Sequence, residues 1–401
     1  MRQNLRIGLF GFGVVGQGLY DVLASSRGLQ AEIVRICVKH ADKPRRLPAE
    51  MFTLNAHELL DDPDINLIVE LIDNADEAYE IVRTAMQRGK HVVTANKKMV
   101  AEHFAELVSL QAQTGVSLLY EGSSCGSIPI IRSLEEYYDN ELLSSVEGIF
   151  NGTTNYILTK VCNEGLDYAT ALKQAQELGF AESNPYLDVY GHDAKFKLCI
   201  VAAHAFGIFA RPEQVFTYGI PTLGVNDIRL AREKGFRIKL LANARKLGQK
   251  VVLFVMPAFV RPDNALYKVE NEYNGVLVTG AFSDRQFLQG KGAGSHPTGS
   301  AVLSDVSAIS YYYRYEYKKH QQNGSHELTN EVLLSVYLRY TDEAQIADFG
   351  FEEIFERHYE PREQFFYVAG RIRLSRLMAL PDLPEREVFL ALLPEPEVEL
   401  V

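Results

Sequence analysis

The sequence predicts an α/β fold: a Rossmann-type doubly wound parallel sheet, an α+β domain with a mixed sheet, and a small C-terminal α+β extension. Three observations carry this. Strand-like and helix-like segments alternate over the first 130 or so residues, and a glycine-rich turn joins the first strand to the first helix. After about Ile131 the rhythm changes to longer strands of mixed pattern.

In order, "LRIGLF", "AEIVRICV", "INLIVELI", "HVVTANK" and "VSLLYEG" read as strands of the first part. Helical patterns such as "DEAYEIVRTAMQRG" and "VAEHFAELVSLQAQTG" lie between them. Strand, helix, strand at this spacing gives parallel strands with helices on both faces. The second part opens with the strand "SSVEGIF" and a helix in "NGTTNYILTKVCNEG" that Thr153 or Thr154 is placed to cap. "LDYATALKQAQELG" is a helix closed by Gly179. "VVLFVMPAFV", "ALYKVENEYNGVLVTG" and "RQFLQGKGAG" read as strands of a mixed sheet. A polar linker at Gln321–Glu327 precedes an extension with the strands "EVLLSVYLRYT", "EQFFYVAG" and "EVFLALL" and a basic helix-like stretch, "GRIRLSRLMAL".

Bulk properties narrow the function. A chain of 401 residues suits two domains and a small third, and 47% hydrophobic with 23% charged residues is an ordinary globular balance. A net charge of -11 argues against a nucleic-acid or anionic-membrane binder. Cys37, Cys125, Cys162 and Cys199 are widely spaced with no CxxC pair, which suits a reducing compartment better than a disulfide framework or zinc site. The N-terminus lacks a signal-peptide pattern, and the longest apolar run, "LCIVAAHAFGIFA", is too short to span a bilayer. A cytoplasmic protein is expected.

"GFGVVGQG" sets Gly11, Gly13 and Gly16 in G-x-G-x-x-G spacing between a strand and an amphipathic helix. Side chains at such a turn would keep the backbone from a pyrophosphate, which the N–H groups and dipole of the helix attract. The turn Gly11, Phe12, Gly13, Val14, Val15, Gly16 is therefore a candidate dinucleotide cradle, with a tight packing turn as the alternative. The second strand ends at Lys39, where an NAD-selective fold tends to carry an acid, and Lys43, Arg45 and Arg46 follow. Positive charge there favours a 2′-phosphate, hence NADP over NAD, with a solvated basic loop as the alternative. "TANK" closes the fourth strand, so Thr94 and Lys97 face the same crevice, and Lys98 reads as the solvated one of the lysine pair.

"AESNPYLDVYGHDAKFKLC" crowds Glu182, Asp188, Asp193, Lys195 and Lys197 around Pro185 and Gly191. Asp193 and Lys197 stand four apart on one face of the helix beginning after Gly191, the spacing of a surface ion pair or of a site that grips a zwitterion. In a dehydrogenase the hydroxyl proton must leave with the hydride, and a partly desolvated lysine can take it. A zwitterionic ligand would need a carboxylate for its ammonium, which Glu182 can supply.

"GFGVVGQG", "VVTANKK", "EGSSCGSIPII", "NGTTNYIL", "LGFAESNPYLDVYGHDAKFK" and "KGAGSHPTGSAV" stand in the order found in homoserine dehydrogenases, and from about residue 4 to residue 320 the chain resembles that family. The resemblance implies NAD(P)-dependent interconversion of L-homoserine and L-aspartate 4-semialdehyde, on the route to threonine and methionine, by a homodimer built through the second domain's sheet. It implies Lys197, Lys97 and Asp193 as catalytic residues, with Lys197 moving the hydroxyl proton. Glu182, Gly179, Asp188, Asn151 and Thr153 would bind substrate. Gly294 would lie at the cofactor in a returning segment, 291–320, that completes the nucleotide domain of residues 1–131. Residues 132–290 would form the substrate and dimerisation domain. Glu121, with the backbone carbonyls of Ser124, Gly126 and Ile128, would hold a structural sodium ion. Cys125 reads as packing, His296 as a loop residue, and His192 as a solvated neighbour of the site.

Two departures stand out. The Gly pair usual after "INLIVELI" is replaced by Asp73 and Asn74; an acid there either repels a phosphate or simply faces water, which leaves the cofactor preference open. Residues 325–401 lack the turn of an ACT regulatory domain, so the extension is either a degenerate ACT-like module or an unrelated one. The competing readings are another amino-acid oxidoreductase and a non-catalytic NAD(P)-binding regulatory protein. The presence of Lys97, Glu182, Asp193 and Lys197 speaks against the latter.

Overall fold

The computed structural model describes residues 3–40, 43–140, 142–181, 183–322, 326–394 and 398–400. The chain forms two compact units, Met1–Asp139 with Lys291–Lys318, and Asn140–Gly290 with Lys319–Val401.

The first unit holds a six-stranded parallel sheet built from β1 (Leu5–Phe10), β2 (Ala31–Cys37), β3 (Phe52–Thr53), β4 (Leu67–Glu70), β5 (His91–Thr94) and β6 (Leu118–Leu119), ordered β3-β2-β1-β4-β5-β6. The apolar run of β1 and β4 is buried, as the inner strands of a parallel sheet covered on both faces require. The order reverses between β1 and β4, and the carboxyl ends of these strands border the crevice where such sheets bind ligands. Asn74 caps the Ala75–Gln87 helix by accepting the Glu77 N–H, and Asp76 and Glu77 favour its positive end. This gives Asn74 a structural purpose in place of the family's glycine. "VSLLYEG" yields only two residues of strand, because Glu121–Ser123 turns at once into a 3-10 helix.

The returning Ser295–Ile309 helix crosses the Val14–Ser25 helix closely. A Cβ on Gly18 would lie 2.1 Å from the Ser295 carbonyl oxygen, so glycine is required at the crossing. His296 is in the first turn of that helix, not in a loop, and lies 3.5 Å from Asp21.

The second unit is built on one mixed sheet. Its strands are β7 (Leu143–Ile149), β8 (Phe216–Thr217), β9 (Arg237–Leu247), β10 (Lys250–Val260), β11 (Tyr273–Gly280), β12 (Asp284–Lys291), β13 (Glu327–Leu328), β14 (Val332–Tyr340), β15 (Glu353–Glu360), β16 (Phe365–Arg373), β17 (Phe389–Leu392) and β18 (Val398–Leu400). Its main path runs β12-β11-β7-β9-β10-β17-β14-β16-β15. The C-terminal strands thus share one sheet with the rest of the unit. From β14 they run strand, helix, strand, strand, helix, strand, paired antiparallel in the order β17-β14-β16-β15, a split βαβ arrangement.

Three local expectations change. The basic stretch after Gly370 is strand as far as Arg373 and helix only over Leu374–Met378, since β16 continues its pairing with β14. The Ala265–Lys268 segment is a 3-10 turn before β11. Asn151, not Thr153 or Thr154, caps the Gly152–Thr159 helix: its Oδ1 accepts the Thr154 N–H at 2.8 Å. The Tyr168–Glu177 helix ends as read, with Gly179 at φ 76° just beyond it.

Of the 15 residues in the His192–Phe206 helix, 13 are buried, and His192 and Lys195 are the exceptions. A helix covered this fully carries its charged residues inward. Asp193 and Lys197 are therefore interior side chains.

Candidate active site

In the first unit the three cradle glycines do three jobs. Gly11 has φ 91°, and a Cβ there would sit 2.5 Å from the Leu71 carbonyl oxygen. A Cβ on Gly16 would meet the Gly11 carbonyl oxygen at 2.4 Å, so the helix packs directly on the turn. Gly13 faces open space, with no atom within 4 Å of the place a Cβ would occupy. A bare backbone at a helix N-terminus, with no side-chain cap and Val14 exposed beside it, has the form that can cradle an anion. Phe12 turns inward, packing edge-on against Tyr20 and Phe52, while Val15 is half-buried.

The basic segment after β2 is ordered by the cradle helix. Arg46 pairs with Asp21 at 2.6 Å, donates to the Gln17 carbonyl at 3.1 Å and lies over the Tyr20 ring. Arg45 lies over Phe52 and donates to the carbonyls of His40 and Lys43. Lys39 is exposed. The guanidinium held against the cradle is thus that of Arg46, a residue the sequence offers only as one of several basic neighbours.

At the ends of β4 and β5, Thr94 is fully buried and its hydroxyl donates to Glu70 Oε2 at 2.5 Å. Glu70 Oε1 accepts the Ile72 N–H at 2.6 Å, and Thr94 Oγ1 accepts the Asn96 N–H at 3.0 Å. Asn96 caps the Lys97–Glu102 helix and also donates to the Ile72 carbonyl at 3.1 Å. Thr94 is therefore a prop beneath the turn, not a surface toward the crevice. Lys97 opens the helix half-buried, while Lys98 is exposed with its amine 3.8 Å from Glu102. Burial lifts the Glu70 carboxyl to about 7. Its only sequence signal is a lone acid in an apolar strand. Gly294, at φ 126°, is the residue before the Ser295–Ile309 helix and has room around it.

Glu121 is buried, and its carboxylate accepts the Ile131 and Arg132 N–H groups at 2.9 and 2.8 Å. Its own N–H donates to Asp305 Oδ2 at 2.8 Å. Burial lifts the Glu121 carboxyl to about 7, and burial together with Glu121 lifts Asp305 well above the usual range. Asp305 Oδ1 and Ser124 Oγ are buried without a hydrogen-bond partner among the described residues. Cys125 and Gly126 both take left-handed conformations, folding the loop sharply, and a cavity of about 450 Å³ opens beside Glu121, Gly126 and Ile128. Two buried carboxyls and orphaned oxygens are what a small hard cation would satisfy, so the residues present fit one.

In the second unit the Asp193–Lys197 pair is interior, both residues less than a tenth exposed. Lys197 Nζ donates to Asp193 Oδ2 at 2.7 Å and to the Phe150 carbonyl at 2.7 Å. An ammonium has three donors, and these bonds use two of them. Asn151 Nδ2 donates both to Asp193 Oδ2 at 2.9 Å and to Asp188 Oδ1 at 2.7 Å, joining the two acids. Thr153 donates to the Phe180 carbonyl at 2.5 Å and so holds the segment that follows Gly179, which is itself exposed. The structure thus brings Asn151, Asp188, Asp193 and Lys197 together. Glu182 lies outside the described residues. His192 is lowered to about 4 by burial and by Lys195, so it is neutral at ordinary pH.

Comparison with known proteins points to one family. The family model described as homoserine dehydrogenase matches residues 129–307, and that described as the homoserine dehydrogenase NAD binding domain matches residues 11–121. A homoserine dehydrogenase of Synechocystis is 40% identical over 317 residues, 76% of this chain and 73% of its own length. The solved structure of a homoserine dehydrogenase from Thiobacillus denitrificans is similar with a TM-score of 0.86 and 31% identity, over 98% of this chain and 99% of that one. A hyperthermophilic archaeal homoserine dehydrogenase mutant in complex with NADPH is similar at TM-score 0.66 and 25% identity, over 78% of this chain and 100% of that one. The two family models, together spanning most of residues 11–307, and a relative 40% identical over 76% of this chain make the chain a member of the homoserine dehydrogenase family.

Proposed function

We propose that this chain interconverts L-homoserine and L-aspartate 4-semialdehyde with Lys197 moving the proton of the substrate oxygen. The observation that carries the proposal is the buried amine of Lys197, fixed by Asp193 and the Phe150 carbonyl beside Asn151 and Asp188.

When bound, the nicotinamide cofactor supplies the hydride acceptor or donor. In the reducing direction Lys197 donates its proton to the aldehyde oxygen as that oxygen gains charge. In the oxidising direction neutral Lys197 accepts the hydroxyl proton, and Asp193 then stabilises the ammonium that forms. Asn151 keeps Asp188 and Asp193 in place; Asp188 binds the substrate ammonium, a role the family motif also gives to Glu182. Lys97, at the start of its capped helix, orients the reacting groups at the cofactor. Gly11, Phe12, Gly13, Val14, Val15, Gly16 and Gly294 hold the dinucleotide.

The cofactor preference is for NADP, with NAD as the weaker substrate, because Lys39 and Lys43, both exposed, and Arg45 follow β2, while the charge of Arg46 is offset by Asp21. Glu121 and the carbonyls of Ser124, Gly126 and Ile128 hold a structural sodium ion, and a rise in melting temperature in sodium over choline chloride is its test. The enzyme is a homodimer through the sheet of the second unit, which light scattering checks. Its free cysteines suit the cytoplasm. No described helix is long and apolar enough to cross a membrane.

The test of the function is L-homoserine oxidation with NADP and NAD in parallel. Reduction of both cofactors, faster with NADP, is expected. No turnover with either, on folded protein that binds NADPH, would overturn the proposal.

A further inference from the structure

The turn that precedes the catalytic helix, Pro185–Gly191, is shaped by the chain on its other side. Gly219 packs against it so closely that a Cβ would lie 2.1 Å from the Val189 carbonyl oxygen and 2.5 Å from Tyr190 Cα. The Ile220 N–H donates to the same Val189 carbonyl at 2.9 Å. Gly191 leaves similarly little room, its Cβ position being 3.1 Å from the Thr217 methyl. Whatever fixes residues 218–224 therefore fixes the turn that carries Asp188.

That segment is fixed by the C-terminal strands. Arg339, on β14, donates through Nε to Asp227 Oδ2 at 2.9 Å and Oδ1 at 3.1 Å, and through a terminal nitrogen to the Thr222 carbonyl at 2.6 Å. Tyr337, two residues earlier on the same strand, donates to Asp227 Oδ1 at 2.7 Å. Asp227, wholly buried, also accepts the Gly224 N–H at 2.8 Å. Tyr218 closes the set: its hydroxyl donates to the Val388 carbonyl at 2.8 Å and lies 2.8 Å from the Thr222 hydroxyl. A buried carboxylate paired with a partly buried arginine and this many partners is a rigid joint, because losing the arginine strands the Asp227 charge.

We infer that Arg339 is a positioning residue for substrate binding: it holds Thr222 and Asp227, and through Gly219 and Ile220 it sets the Pro185–Gly191 turn that presents Asp188. The C-terminal strands, which lie outside the matched family regions, thereby form part of the support of the substrate site. The effect should fall on binding more than on chemistry. Lys197 and Asp193 stand on the helix, with Lys197 also bonded to the Phe150 carbonyl, whereas Asp188, although it shares Asn151 with Asp193, has its backbone in the turn itself. The inference rests on the proposed placement of Asp188 at the substrate.

The experiment is steady-state kinetics of L-homoserine oxidation on full-length wild type, Arg339→Gln, Arg339→Lys and Tyr337→Phe, with NADPH affinity measured on each. Arg339→Gln should raise the KM for L-homoserine about tenfold, with kcat and NADPH affinity within about twofold of wild type. Arg339→Lys, which keeps a charged donor, should recover part of that loss, and Tyr337→Phe should raise KM about twofold. If Arg339→Gln does not fold, Tyr337→Phe and Arg339→Lys carry the test. An unchanged KM in the folded variants, with any loss confined to kcat or melting temperature, overturns the inference and leaves the proposed function standing. A wild type that does not oxidise L-homoserine would instead sink the function.

Discussion

The cradle at Gly11–Gly16 and the cluster at Asn151–Lys197 are built in opposite ways. The cradle works by what is missing: glycines bring backbone to backbone at Gly11 and Gly16 and leave space at Gly13. The cluster works by what is buried: Lys197 donates to Asp193 inside the unit, and Asn151 joins Asp193 to the half-buried Asp188. A site of the first kind should lose ligand affinity when a methyl is added. A site of the second kind should lose chemistry and stability together when a charge is removed.

The largest effect to look for follows from that contrast. Asp193→Ala leaves the Lys197 ammonium buried without its carboxylate, at a cost of about 3–5 kcal/mol in stability. Turnover should fall by about 100-fold or more, while NADPH affinity changes little. Chemical denaturation and initial rates on one preparation check both, and a near-normal rate would break the contrast. Gly16→Ala comes next, since its methyl meets the Gly11 carbonyl at 2.4 Å and must shift the turn. NADPH affinity measured by fluorescence should drop at least about tenfold.

Gly13→Ala sharpens the comparison further. Its methyl meets nothing in the protein and its φ of -82° suits alanine, so melting temperature should hold while NADPH affinity falls. Equal affinity in this variant would show that the open space is not ligand space. The smallest effect concerns the prop under Lys97. Burial raises the folded-state carboxyl of Glu70 to about 7, above its ordinary 4.5, so the protonated form is favoured by folding. Its contribution to stability is fully present below pH 4.5 and is lost as pH rises through about 7. Unfolding free energy of wild type minus that of Glu70→Gln should therefore decline from about pH 5 to about pH 8, by at most about 3 kcal/mol. A flat difference would mean that Glu70 does not titrate in that range.

The two regions also differ in how far the sequence shows them. The cradle is legible because its meaning is local: strand, glycine spacing and helix lie within a dozen residues, and each glycine acts on its neighbours. The cluster is legible only as spacing. That Asp193 and Lys197 lie inside depends on a helix whose covering strands come from elsewhere in the chain, and an i, i+4 pair taken by itself favours the surface. Asn151 illustrates the same limit. Its capping of a helix is a local property, but its second bond pair to Asp188 and Asp193 spans about 40 residues. Glu70 and Arg339 were beyond sequence reasoning for the same reason. Each is a single charged residue in a strand, and only the partners brought by folding, Thr94 for one and Asp227 for the other, give it a role.

The central claim is that Lys197 carries the proton while the first unit holds the cofactor. The direct measurement is kcat for L-homoserine oxidation and NADPH affinity on the same preparation of Lys197→Ala. The account predicts a kcat lower by at least about 100-fold with NADPH affinity within about twofold of wild type. A kcat within about tenfold of wild type on folded protein would contradict it, since general acid–base transfer at this position is worth more than that.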